Sequence, residues 1–207
     1  DDKHAVYENM VRNMALRART TRDSNAFAVF RNAFGTATTA DAVALISNSH
    51  TDLSNRTVDN LLTGDLSETT LNTAIIQLVE LAAQDGVIGG SMPDTLVVSI
   101  SDYKLACEIT QSELRSGTPD NDLNVYSTKY GIKIATSQWL GAAAGGDNDA
   151  WFLLGTTHSI YRFVRQGIVT DLVDYKFTEN NSYVYKGEFR EVVGAMNHEG
   201  IVGSAGA

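Results

Sequence analysis

The sequence predicts an α+β chain with one long helix at its start, a compact mixed middle and a β-rich last third. Three observations carry this. Apolar residues recur every three or four positions over residues 3–34. A β-branched run near residue 95 passes directly into a helical period, and aromatic and β-branched residues alternate near the end of the chain.

Residues 3–34 read as one helix. Tyr7, Met10, Val11, Met14 and Ala18 form a stripe that resumes with Phe27, Phe30, Ala33 and Phe34, and Gly35 is placed to stop it. The polar stretch RTTRDSN (19–25) predicts a helix that stays solvated there or bends. At ~1.5 Å per residue the rod would approach ~48 Å, longer than a compact globule of this size can cover. Such a helix is built to lie across something.

Residues 36–66 are rich in Thr, Asp, Asn and Ser and read as loop. LSETTLNTAIIQLVELAAQDG is the next helix. Ser67 caps it, Glu68 sits at its positive end, Leu71, Ala74, Ile75, Leu78 and Ala82 share one face, and Gly86 ends it. Thr95–Ser99 is then a short apolar strand, and Ser101 or Asp102 opens a helix bearing Leu105, Ala106 and Ile109. RSGTPDND (115–122) reads as a loop, YGIKIATSQWL as a strand through Ile132 and Ile134, AAAGGDND as a turn, and AWFLLG as a buried strand. A long hairpin follows: Val173, Tyr175 and Phe177 alternate, TENN (178–181) turns, and Tyr183, Tyr185 and Phe189 alternate again. The tail EGIVGSAGA carries no strong signal, and no internal repeat or coiled-coil heptad is present.

Composition narrows the function classes. With 43% hydrophobic and 20% charged residues, the chain can build an ordinary globular core. A net charge of −9, with no Lys/Arg cluster, argues against gripping nucleic acid, which needs a basic face to displace counterions. The lone cysteine, Cys107, excludes an intrachain disulfide and a multi-cysteine zinc site. No apolar run approaches the ~18 residues that span a bilayer.

The stretch ISNSHTDLSNRTVDN (46–60) looks most like chemistry. His50 and Asp52 offer at most two metal ligands, where a catalytic zinc needs three from the protein. His4, His158 and His198 show no H-x-x-H spacing that would add an imidazole. The reading favours a loop histidine hydrogen-bonded to its neighbours over a ligand or general base. A small metal-dependent hydrolase using His50 with Asp52 is the enzyme alternative, and it lacks a third ligand and a nucleophile.

Cys107 lies mid-helix, away from the helix N-terminus or cation that would activate it, and reads as a small buried hydrophobe. GVIGG (86–90) follows a helix and lacks the phosphate-loop lysine; no G-x-S-x-G elbow occurs. The pairs Asp120/Asp122 and Asp147/Asp149 read as turn formers. Arg162 and Arg165 in RFVRQG suggest a salt-bridged edge or an interface. No catalytic, cofactor-binding or metal-binding residue is assigned, and no cofactor is expected.

The order of segments resembles the major capsid protein of tailed bacteriophages, the Hong Kong 97-type fold, and within it the Mu-like major head subunit group. DDKHAVYENMVRNMALRARTTRDSNAFAVFRNAFG looks like that group's spine helix, with an acidic pair at its entry and NAF at its exit. LISNSHTDLSN resembles its F-S-x-x-H loop, and LSETTLNTAIIQLVELAAQDG the helix leading into the axial domain. MPDTLVVSISDYKLACEI resembles the P-x-x-L-V-V-P strand and following helix, with Ser99 in place of the last proline. AWFLLG and RQGIVTDL look like the W-F-L strand and R-x-G turn, and YVYKGEFREVVGAMNHEGIVGS like the closing strand of the peripheral domain.

The resemblance implies a peripheral domain (1–64 and 174–207, spine helix and long β-hairpin) and an inserted axial domain (65–173). It implies a structural, non-enzymatic head protein that self-assembles through pentamers and hexamers into an icosahedral shell. The shell would enclose double-stranded DNA of a tailed phage or prophage without sequence-specific binding. The protein would reside in the virion and assemble in the bacterial host cytoplasm. Scaffold, protease, portal or decoration proteins are the further partners such subunits have, and no membrane is expected among them. In this frame the His50 loop is structural, and Arg162, Arg165 and Arg190 are expected near subunit contacts. An encapsulin-like nanocompartment shell, with protein cargo in place of DNA, is the alternative within the fold. The family's N-terminal arm and extended loop have no counterpart before DDKHA. That abrupt entry into a helix reads as a chain starting part-way through a longer gene product, or as a tag remnant ending in DDK.

Overall fold

The computed structural model describes residues 4–114, 123–173 and 184–207. The RSGTPDND loop and the TENN turn, with Tyr175, Phe177 and Tyr183, lie outside the described residues. Two compact units form. One takes Phe27–Tyr161 and Gly194–Ala207; the other takes the residues up to Ala26 and Arg162–Val193. Helix α1 (His4–Arg31) contributes to both, close to the expected bounds and continuous through RTTRDSN.

The larger unit is built on a five-stranded mixed sheet. Its strands are β3 (Leu61–Leu62), β4 (Pro93–Val98), β5 (Lys133–Thr136), β6 (Trp151–Gly155) and β9 (Ile201–Ser204), in the order β3-β9-β6-β4-β5. β6 runs antiparallel to both neighbours, whereas β3 is parallel to β9 and β4 to β5. A separate two-residue pair, β1 (His50–Thr51) and β2 (Thr57–Val58), closes the 50–58 loop.

Helices α2 (Glu68–Glu80) and α3 (Tyr103–Thr110) cover one sheet face. Leu71, Ala74, Ile75 and Leu78 of α2 and Ala106 and Ile109 of α3 share a core with Leu96, Val98, Trp151, Leu153 and Val202. The opposite face carries Phe152, whose ring lies 5.2 Å from Phe30 and 5.5 Å from Phe34 at the end of the first helix and just beyond it. Burial on both faces makes β6 apolar at every position, as AWFLLG suggested.

The Ser67 cap forms as a reciprocal box: Ser67 Oγ accepts from Thr70 N at 3.1 Å and Thr70 Oγ1 accepts from Ser67 N at 2.8 Å. The helix ends at Glu80, however, and not at Gly86. Leu81 turns extended (ψ 124°), and Ala83 and Val87 close a tight turn in which Gly86 has φ +80°. In α3, Leu105 faces outward and Thr110 takes the inner position, its hydroxyl donating to Ala106 O at 2.8 Å. Cys107 is half-buried on that helix rather than in the core.

Two strands differ from expectation. The tail holds β9, buried at all four positions between β3 and β6. In the smaller unit, β7 (Ile160–Val173) and β8 (Val184–Ala195) pair as a long ribbon, so the first strand begins well before the alternation noted at Val173. Side chains on both faces of this ribbon are exposed, which is why its period is hard to read. Gly187 lies against Met14 of α1, its missing Cβ leaving 3.6 Å to Met14 Cε.

Candidate functional site

Loop 38–52 brings His50 fully inside the larger unit. Thr39 N donates to Val43 O and Ala42 N to Thr39 O, a tight turn in which Ala42 takes φ +61°. That turn points Asp41 inward, where its Oδ2 lies 2.8 Å from His50 Nδ1. Asp41 Oδ1 accepts from the Thr39 hydroxyl and, at 3.2 Å, from Val43 N. Burial pulls the Asp41 carboxyl up, but hydrogen bonds from Thr39, His50 and Val43 outweigh it and hold the group at about 2.

The other nitrogen of His50, Nε2, donates to Leu45 O at 3.2 Å. Both ring nitrogens thus face oxygen acceptors. The same Leu45 carbonyl accepts from the buried Asn60 Nδ2 at 2.9 Å, and Asn60 also reaches Ile201 O of β9. His50 is the hydrogen-bonded loop histidine that its surroundings in sequence suggested.

One expectation is overturned: a second imidazole does lie alongside. His198 stacks on His50 with ring centroids 4.6 Å apart and planes 26° from parallel. His198 Nε2 donates to Ala82 O at 3.2 Å. Its Nδ1 is buried and has no hydrogen-bond partner among the described residues. Burial holds the His198 imidazole below its ordinary pKa, and the neighbouring His50 pushes the same way. Asp41, His50 and His198 each place one donor atom within 4.8 Å of the others, so these are the residues that could hold a metal ion. Sequence reading missed Asp41 and His198. TTADA and NHEG carry no ligand spacing, and the three residues meet only through the fold.

The pairing of His50 with Asp52 does not form. Asp52 Oδ2 instead accepts from Arg56 Nε, and its Oδ1 from Ser54 N and Arg56 N, each at 2.8 Å. Arg56 also donates to the Gly86 carbonyl. These bonds hold the Asp52 carboxyl below its ordinary value, the Arg56 backbone amide contributing most. With His50 and His198 at most 1% exposed, the cluster offers no face to a substrate.

The arginines lie in the smaller unit. Arg162 Nη2 donates to Glu191 Oε2 at 2.7 Å, and Arg22 Nε of α1 reaches the same oxygen at 3.0 Å. The Glu191 side chain is only 2% exposed, so this carboxylate joins helix and ribbon. Arg165 and Arg190 are exposed on the ribbon strands. Large apolar side chains of the same unit are also exposed: Val6, Met10 and Leu16 on the helix, and Phe163, Val164 and Val192 on the ribbon.

Against known proteins, the phage capsid protein family matches residues 1–204. No curated protein gives a significant match. Among solved structures, a phage-related protein from Bordetella bronchiseptica RB50 is similar at TM-score 0.50 and 13% identity, over 93% of this chain. The cyanophage Pam1 capsid asymmetric unit is similar at TM-score 0.49 and 13% identity over 99% of this chain, and a Mycobacterium phage Ogopogo structure at 0.44 and 12% over 98%. This chain spans 64% of the first structure's length, less than two thirds, and 68% and 71% of the others'. The first likeness speaks to fold alone.

Proposed function

The chain belongs to the phage capsid protein family, and from that membership we propose that it is a major head subunit that self-assembles into an icosahedral shell around double-stranded DNA. Its mixed helix-and-sheet architecture accords with the family, whose role is structural.

The family match over residues 1–204 carries the reading, and the exposed apolar side chains of the smaller unit support it. Met10 is 61% exposed and Leu16 59% on α1, and Phe163 55% and Val192 62% on the ribbon. Apolar side chains held out on two extended elements of one unit are what an assembling subunit presents to its neighbours. The net charge of −9 suits a container: it holds DNA without gripping it, and screening limits the repulsion.

In this reading residues 1–64 and 174–207 form the peripheral domain, and residues 65–173 the axial domain that gathers in pentamers and hexamers. Arg165 and Arg190 lie near subunit contacts, and Arg162 joins them while bound to Glu191. The subunit acts in the virion, after assembly in the host cytoplasm, and performs no catalysis.

Charge reversal tests the interface assignment. Arg165→Glu and Arg190→Glu should leave the subunit folded by circular dichroism and block higher-order assembly in sedimentation. Normal assembly of both variants would contradict it.

A further inference from the structure

We infer that Asp41, His50 and His198 form a buried structural site for a borderline divalent cation, with zinc the best match to a two-imidazole, one-carboxylate donor set. The inference goes beyond the shell reading and rests on the geometry of the cluster alone.

Each ring makes the outer hydrogen bond that imidazole ligands make. A metal-bound histidine characteristically donates its other N–H to a backbone carbonyl or carboxylate, which fixes the tautomer and aims the free nitrogen. Here His50 Nε2 donates to Leu45 O and His198 Nε2 to Ala82 O, each at 3.2 Å. This leaves Nδ1 as the ligand nitrogen of both rings. His50 Nδ1 is directed at Asp41 Oδ2. His198 Nδ1 is buried and has no hydrogen-bond partner among the described residues, an arrangement that costs free energy unless something occupies it. Asp41 is oriented in turn by Thr39 and Val43 on its other oxygen, as ligating carboxylates are.

One donor atom of each residue lies within 4.8 Å of those of the other two, and bonds of about 2.0–2.1 Å to imidazole nitrogen would draw the ligands inward. The proton on His50 Nδ1 leaves to solvent as the cation takes its place, so two neutral imidazoles and one carboxylate face the ion. Three ligands from two segments far apart in sequence would then staple the 38–52 loop to the turn before β9. Zinc takes four ligands, so a water would complete the three from the protein, and with His50 0% and His198 1% exposed the buried site gives a substrate no entry.

The test uses the full chain, stripped with a chelator and labelled with 15N-histidine. One equivalent of zinc should shift the imidazole resonances of His50 and His198 together, leave those of His4 and His158 in place, and raise the melting temperature. His198→Gln should weaken calorimetric zinc binding by at least the ~10–100-fold that loss of a mere outer-shell partner costs. Absence of stoichiometric binding, or shifts confined to His4 and His158, would overturn the inference in the unmodified chain whatever the variant does. So would unchanged affinity in His198→Gln.

Discussion

Arg22 of the first helix donates to Glu191 of the eighth strand at 3.0 Å, a bond between residues 169 positions apart. Arg162 reaches the same carboxylate oxygen at 2.7 Å, so one buried acid collects two cations from two elements. Replacing Glu191 by Gln keeps the shape and removes the charge that both guanidinium groups address. The expected loss is about 1.5–3 kcal/mol, the range for hydrogen bonds to charged groups. Urea denaturation followed by circular dichroism measures it, and an unchanged midpoint would show that the pair of arginines contributes nothing.

Gly203 of β9 faces Phe152 so closely that an added Cβ would stand 2.7 Å from the ring's Cδ1 and 3.2 Å from Ile46 Cγ1. Gly203→Ala should therefore destabilise by about 1–3 kcal/mol, the usual cost of overpacking. The ring is wedged between Phe30 and Phe34 and has little room to yield. Differential scanning calorimetry reads the shift in melting temperature; the control is Gly167→Ala in the ribbon, where a Cβ would meet nothing within 4 Å.

The same glycine explains why β9 was hard to see in the sequence. IVGS is a strand buried on both faces, so it shows a short apolar run with a gap where Phe152 intrudes, and no alternation. The long ribbon has the opposite problem, since Tyr161, Arg162, Phe163, Val164 and Arg165 are all exposed and neither face stands out. By contrast, α1 and the start of α2 were legible because their signals are local: an apolar stripe, and Ser67 with Thr70 three residues on. The end of α2 was not. Leu81, Ala82 and Ala83 continue a helical stripe in sequence, but the chain turns at Leu81 and the Ala82 carbonyl is taken by His198 from far along the chain. The His50–His198 pair was invisible for the same reason: tertiary structure alone brings the rings together.

Asp52 provides a pH test. Its carboxyl lies below the ordinary 3.8 in the folded chain, chiefly through the Arg56 backbone amide. A group with a depressed folded pKa contributes stability that is complete above its unfolded value and disappears as pH falls through the folded one. Asp52→Asn should therefore melt lower than the unmodified chain at neutral pH, and the gap should close only as pH drops below 3.8. A gap that stays constant into acid would assign the effect to shape rather than charge.

Exposed apolar residues of the smaller unit should matter to assembly and little to folding. Met10→Glu and Phe163→Glu change surface positions, where substitutions usually alter stability by no more than about 0.5 kcal/mol. Their effect is expected in the association state, read by analytical ultracentrifugation against the unmodified chain. A large fall in melting temperature with unchanged association would place these side chains in the fold rather than at a contact.

The most direct test of the shell reading is the particle mass of the purified full-length gene product, with negative-stain images of the same sample. The account predicts closed shells, or pentamers and hexamers, with nucleic acid inside particles recovered from the host. Particles carrying protein cargo in place of DNA would contradict the head-subunit assignment in favour of a nanocompartment. A full-length product that remains a monomer at all concentrations would contradict the shell reading itself.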